Sequence, residues 1–196
     1  MGSDTLTLRS IKSAVFLDRD GVLNEVIVRN SKPYPPHDLS ELVITSDAPG
    51  ALELLRREGF LLIVVTNQPD IARCTLSRAN IDKINAQLSA ILPLDAIEVC
   101  EHDDQAQCDC RKPKPGMILR AREKFCVDLA GSFMVGDRWR DIEAGRRAGC
   151  RTVLIGDGYG EAFLCSPTIK LALLPRAASW IIQQHEHERE THEDTQ

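Results

Sequence analysis

The stretch AVFLDRDGVLN, residues 14–24, decides how this chain folds. Residues 14–17 form an apolar run of strand length, and the run stops at two aspartates with an arginine between them, then a glycine. Side chains alternate along an extended backbone, so Asp18 and Asp20 can face one way while Arg19 faces another. Taken alone, Asp20-Gly21 is also an ordinary turn pair. The pattern recurs, however. LLIVV (61–65), AIEV (96–99), SFMVG (132–136) and RTVLI (151–155) are further apolar runs of strand length.

Helical patterns lie between these runs. One spans about 48–58, with Asp47 placed to cap it, and another about 78–91, with Ser77 at its N-cap. A third follows Pro115-Gly116, and a fourth covers DIEAGRRAG before Gly149. Continuous apolar strands alternating with helices predict an α/β, Rossmann-like fold, a parallel sheet with helices on both faces. Residues 24–40, with three prolines, read as an irregular loop. Residues 1–182 read as a single domain. Residues 183–196 read as a charged, disordered tail whose histidines are solvated.

In open α/β sheets, ligands bind beyond the carboxyl ends of the strands. The residues there are DRDG after the first run, TNQ after the second, a cysteine cluster after the third and GDRWRD after the fourth. Thr66 and Asn67 offer a hydroxyl and an amide to phosphate oxygens. Asp137 and Asp141 offer hard carboxylate oxygens that suit Mg²⁺, although Asp141 also suits the start of a helix on charge alone. The cluster reads Cys100-x-His102, five residues, then Cys108-x-Cys110. Three thiolates and an imidazole make a closed, structural Zn²⁺ set. Cys74, Cys126, Cys150 and Cys165 are scattered, so the seven cysteines do not read as a disulfide framework. Arg111 and Lys112 follow the last ligand directly, and fixing Cys110 would aim both. Lys114 reads as solvated surface.

Two aspartates, a threonine, a lysine and two aspartates at successive strand ends resemble the four motifs of the haloacid dehalogenase (HAD) superfamily of phosphatases. The resemblance runs from about Ser13 to Ile155. DRDGVLN, TNQ and the run from Cys100 to Met117 narrow it. They resemble the heptose-1,7-bisphosphate phosphatases and the related histidinol-phosphate phosphatases, which carry this zinc loop and no large cap domain. The resemblance implies that Asp18 is the nucleophile and Asp20 the general acid and base, with Thr66 and Lys112 stabilising the phosphoryl group. Asn67, Gln68, Arg111 and Arg138 would bind substrate. Asp18, Asp20 (through its backbone carbonyl), Asp137 and Asp141 would surround Mg²⁺. Chemically, an ionised carboxylate attacks without a base. A metal on Asp18 would keep it ionised while Asp20 holds a proton.

The chain departs from the family where TNQPDIARC stands for TNQSGIARG, placing Pro69, Asp70 and Cys74 beside the substrate. It also has EVIVRNSKPYPP where a Gly-Tyr pair is usual. These changes bear on substrate choice. The leading expectation is a phosphosugar, a heptose bisphosphate, in the supply of cell-surface glycans such as lipopolysaccharide. The alternatives are histidinol phosphate, for whose amine Asp70 is a candidate partner, a DNA end, or phosphosugar binding without turnover. A net charge of −5 argues against nucleic acid. The longest apolar run, FLLIVV (60–65), is far short of the ~18 residues that span a membrane. No charged-then-apolar leader opens the chain. The expected setting is the cytoplasm, as a monomer or weak homodimer.

Overall fold

The alternation of side chains along β1 (Lys12–Leu17) sets the two faces of the sheet. Val15 and Leu17 enter one apolar core and Ala14 and Phe16 the other, all fully buried. The computed structural model describes residues 11–29 and 32–193. It extends this frame with β4 (Leu61–Asn67), β5 (Ala96–Cys100), β6 (Val127–Gly136), β7 (Arg151–Ile155) and β8 (Ile169–Leu171). The six strands form one sheet in the order β5-β4-β1-β6-β7-β8, and every pairing is parallel. The five expected strands are all present, and β8 is an addition at the edge.

Helices α1 (Ala48–Arg57), α2 (Arg78–Ile91) and α5 (Leu174–Glu193) supply the first core, with Leu52, Leu55, Ile84, Leu88 and Ile181 packed on Leu62, Val64 and Val135. Helices α3 (Gly116–Phe125) and α4 (Trp139–Ala148) supply the second, with Met117, Ile118 and Ala144 on Ile63, Val65 and Met134. Each large apolar side chain so buried contributes roughly 1.5–3 kcal/mol. That stabilisation lets the frame hold a polar, charge-unbalanced site at its edge.

The helix expected over 78–91 has those bounds, and the Asn80 N–H donates to Ser77 Oγ at 3.1 Å. Asp47 stands at the N-cap of α1 but makes no capping bond. Pro49, in the first turn, has no N–H to give it.

Two other expectations need correction. Residues 24–40 contain a hairpin, β2 (Ile27–Arg29) and β3 (Lys32–Tyr34), which forms a separate two-stranded sheet. Pro33 is tolerated opposite Val28 because a two-stranded ribbon has only edges. And α5 runs on through 183–193, where a disordered tail was expected. The His185 ring packs 4.7 Å from that of Phe60, and Arg151 pairs with Glu188 at 2.9 Å, so the helix has partners beyond its apolar turns. Residues 194–196 of that tail lie outside the described residues.

Candidate active site

The sheet order turns at β1, with β4 on one side and β6 on the other. Such a switch point opens a crevice at the carboxyl ends of the strands. Asp18 follows β1, Asp137 follows β6, and Asp141 lies in the first turn of α4. Oxygens of these three carboxylates lie within 4.8 Å of one another. Gly21 has φ +87°, and a Cβ there would sit 1.8 Å from Asp137 Oδ2. A Cβ on Gly136 would sit 2.2 Å from that of Asp141. Glycine at both places lets the backbone close on the acids.

Lys112 enters from the loop after β5. Its ammonium lies 2.9 Å from Asp18 Oδ1 and 2.5 Å from Asp141 Oδ1, with its side chain 3% exposed. Three buried carboxylates thus face one buried ammonium. Burial, then the Asp141 charge, pushes Asp18 up from 3.8 to about 7, with Lys112 opposing. Burial and the charges of Asp18 and Asp141 push Asp137 up to about 8. Burial works against the charge of Lys112, but Asp141 and Asp18 outweigh it and raise its pKa. Asp137 Oδ1 is buried without a hydrogen-bond partner among the described residues. Excess negative charge, clustered hard oxygens and an unpaired buried acceptor together fit a divalent cation such as Mg²⁺.

Asp20 stands apart from that trio. Its carboxylate accepts hydrogen bonds from Arg19, Asn24 and Gln68. Arg19, expected to face elsewhere, instead turns its guanidinium onto the Asp20 carboxylate, 3.1 Å away, because the strand ends at Leu17 and its alternation ends there too. It is wholly buried, and it also donates to Asn85 of α2 at 3.0 Å. The Asp20 carboxylate is therefore not among the clustered cation ligands, which leaves its backbone carbonyl as the expected contribution.

Two residues expected to bind substrate are hydrogen-bonded to other groups of the site. Gln68 is fully buried, and its Nε2 donates to Asp20 Oδ2 at 2.8 Å and Thr66 Oγ1 at 2.9 Å. It lies beneath the cleft and holds its floor. Asn67 lines the cleft, but its amide brackets the Lys112 backbone. It accepts from Lys112 N–H at 3.0 Å and donates to Lys112 C=O at 3.1 Å. These contacts carry on the strand ladder through a side chain where β4 ends.

Arg111 and Arg138, expected to bind substrate, line the cleft together with Arg73 and Arg140. Arg111 donates to Asp104 at 2.8 Å, and Arg138 is ion-paired with Glu161. Pro69 and Asp70 line the cleft too, whereas Cys74 is exposed on the turn beyond and not among its lining residues. The cleft encloses about 350 Å³, and Val26, Pro33, Tyr34 and Pro35 bring the hairpin to its rim.

The second cluster lies in the same loop as Lys112. Cys100 Sγ, His102 Nδ1, Cys108 Sγ and Cys110 Sγ all lie within 4.8 Å of one another. The sulfurs are 3.1, 3.4 and 3.7 Å apart. Tetrahedral Zn–S bonds of about 2.3 Å put sulfurs ~3.8 Å apart, so a slight opening of this set accommodates zinc. Lys114 is not plain solvated surface. Its ammonium donates to the carbonyls of Cys108 at 2.7 Å and Gln107 at 3.3 Å, tying the loop back on itself. Sequence reasoning missed Lys114 and also Tyr159, whose hydroxyl donates to Asp137 Oδ2 at 2.9 Å.

Comparison with known proteins bears on this arrangement. Residues 109–168 match the family model described as HAD-hydrolase-like. The D-glycero-β-D-manno-heptose-1,7-bisphosphate 7-phosphatase of Pseudomonas aeruginosa is 36% identical over 161 residues, covering 80% of this chain and 88% of that protein. The enzyme of the same name from Escherichia coli K12 is 36% identical over 158 residues, covering 74% and 80%. Among solved structures, the D,D-heptose 1,7-bisphosphate phosphatase of B. bronchiseptica, complexed with magnesium and phosphate, superposes with a TM-score of 0.75. It is 30% identical, covering 88% of this chain and 99% of that one. By that similarity over most of its length, joined to a HAD-like sheet with carboxylates at its switch point, the chain belongs to the HAD-like phosphatases, in the family of the heptose-1,7-bisphosphate 7-phosphatases.

Proposed function

We propose that the chain hydrolyses the 7-phosphate of D-glycero-β-D-manno-heptose 1,7-bisphosphate, with Mg²⁺ as cofactor and an aspartyl-phosphate on Asp18 as intermediate. The observation that carries the substrate is the cleft itself. A buried Asp18–Lys112 pair lies at its floor, and Arg73, Arg111, Arg138 and Arg140 stand around it. That is room and charge for two phosphates, one reacting and one held.

In this reading Asp18 attacks phosphorus, and Asp20, oriented by Arg19 and Gln68, protonates the departing sugar oxygen. Asp20 then takes the proton of the water that cleaves the acyl phosphate. The Lys112 ammonium is ion-paired with Asp18 and Asp141, and its three protons leave it a donor for a phosphoryl oxygen. Thr66 Oγ1 accepts from Gln68, so its own proton is free to be donated to the phosphoryl group. Arg111 and Arg138 orient the sugar bisphosphate. Asp18, Asp137, Asp141 and the Asp20 carbonyl would hold Mg²⁺, which when bound neutralises phosphoryl charge and keeps Asp18 ionised. Cys100, His102, Cys108 and Cys110 would hold Zn²⁺, which fixes the loop that carries Lys112. A reduced thiol cluster suits the cytoplasm. Asp70, the candidate partner for the amine of histidinol phosphate, is paired with Arg73 at 3.3 Å, which favours the bisphosphate.

A phosphate-release panel tests this reading. Heptose 1,7-bisphosphate should exceed histidinol phosphate in kcat/KM by at least about 100-fold, because only the bisphosphate brings a second phosphate for the rim arginines to hold. Preference for histidinol phosphate would overturn the substrate assignment.

A further inference from the structure

The strand end after β7, GDGYGE at 156–161, took no part in the sequence reading, yet it reaches the site. Gly156, Gly158 and Gly160 have φ of +70°, +70° and +68°, and Tyr159 itself has φ +53°. A tyrosine in the left-handed region persists only where its surroundings hold it there. Two contacts do so. Its hydroxyl donates to Asp137 Oδ2 at 2.9 Å, and the Arg138 guanidinium, held by Glu161, lies 5.9 Å from its ring centroid. A Cβ on Gly21 would come within 1.8 Å of that same Oδ2 and 3.1 Å of the Tyr159 hydroxyl. Oδ2 is therefore packed between Gly21 and Tyr159. The other oxygen, Oδ1, is the buried acceptor without a hydrogen-bond partner among the described residues.

We propose that Tyr159 is a positioning residue for the divalent cation: its hydroxyl pins one oxygen of Asp137 and turns the other toward the metal. The proposal rests on the reading of Asp137 as an Mg²⁺ ligand. A carboxylate with one oxygen hydrogen-bonded has its rotamer set before the cation arrives, so less ordering opposes binding. Tyr159 acts through Asp137. The surrounding glycines give the loop the backbone freedom to deliver the hydroxyl at this angle.

The test uses the full chain, dialysed free of Mg²⁺ and with its zinc content checked. Calorimetry gives the Mg²⁺ dissociation constant for the unaltered protein, Tyr159→Phe and Asp137→Asn, alongside melting in Mg²⁺-free buffer. Phenylalanine keeps the ring beneath Arg138 and removes only the donor. The expected result is about tenfold weaker Mg²⁺ binding in Tyr159→Phe. The activation constant for Mg²⁺ should rise in step, with little change in Mg²⁺-free melting or in substrate KM at saturating Mg²⁺. Unchanged Mg²⁺ affinity in Tyr159→Phe, with Asp137→Asn impaired, overturns the role of Tyr159 alone. If Asp137→Asn binds Mg²⁺ like the unaltered protein, or neither binds it, the ligand assignment falls and the role of Tyr159 with it.

Discussion

Asp18, Asp137 and Asp141 reach their cluster from two strand ends and a helix start, whereas Cys100, His102, Cys108 and Cys110 all come from one stretch, 100–110. The first group exists only once β1 and β6 lie side by side. The second needs no sheet to close beyond the end of β5. The carboxylates repel one another and are held together against that repulsion by the buried frame beneath them. The thiols and imidazole bring a closed ligand set to a loop of low apolar content. The two groups meet at Lys112. The acids hold its ammonium, while Asn67 and the Cys/His loop hold its backbone. In the proposed mechanism the difference separates the group that reacts from the group that aims.

The largest expected effect breaks the comparison on the reacting side. Asp18→Asn should lower kcat by about 10⁴-fold or more, because the amide cannot attack phosphorus, while far-UV circular dichroism and zinc content stay unchanged. Substantial steady-state turnover in that variant would sink the covalent mechanism.

A smaller effect tests the aiming side. Cys108→Ser should empty the zinc site and lower kcat/KM by about 10–100-fold, with the sheet intact by circular dichroism. If zinc serves to aim Lys112, then Cys108→Ser should add little to the loss already caused by Lys112→Ala. Losses that simply multiply would mean that the loop acts on something other than Lys112. Asn67→Ala offers the same cycle from the opposite side of the Lys112 peptide.

The smallest effect concerns pH. Asp18 and Asp137 titrate at about 7 and about 8 in the fold, against an ordinary value of 3.8. Between about pH 4 and 8 the folded protein therefore holds protons that the unfolded chain has released. The stability of Mg²⁺-free protein should fall as pH rises through that window. Mg²⁺ replaces those protons, so it should raise Tm by roughly 5 °C at pH 8 and much less at pH 5.5. An equal rise at both values would show that the carboxylates are not the cation site.

Much of this was legible in the chain because local and global signals agreed. Ser77 and the apolar spacing after it bounded α2, and five apolar runs marked the parallel strands. Polar residues at four strand ends marked the site, since a buried sheet has little reason to expose them elsewhere. What was missed depended on partners distant in sequence. Gln68 looks like a substrate ligand until Asp20 is seen above it. Arg19 looks like a spacer until Asn85 of α2 meets it. Lys114 looks like surface until the Cys108 carbonyl turns toward it. Helix α5 was readable. Leu174, Ala177, Ala178 and Ile181 recur at helical spacing and are buried, but the charged residues after them drew the eye. Tyr159 had a faint signal, an aromatic between glycines at a fifth strand end.

Among the described residues the hairpin β2–β3 pairs only with itself, yet Pro33 and Tyr34 stand at the rim of the cleft. The floor is different: Gly21 and Gly136 leave no space for even a methyl group beside the acids. Mutational drift is thus channelled. Substitutions at Pro33 or Tyr34 touch only the two-stranded hairpin and leave the six-stranded sheet alone, whereas any side chain at Gly21 or Gly136 collides with Asp137 or Asp141. A library confined to the hairpin would therefore vary the rim of the cleft while leaving the carboxylate floor in place.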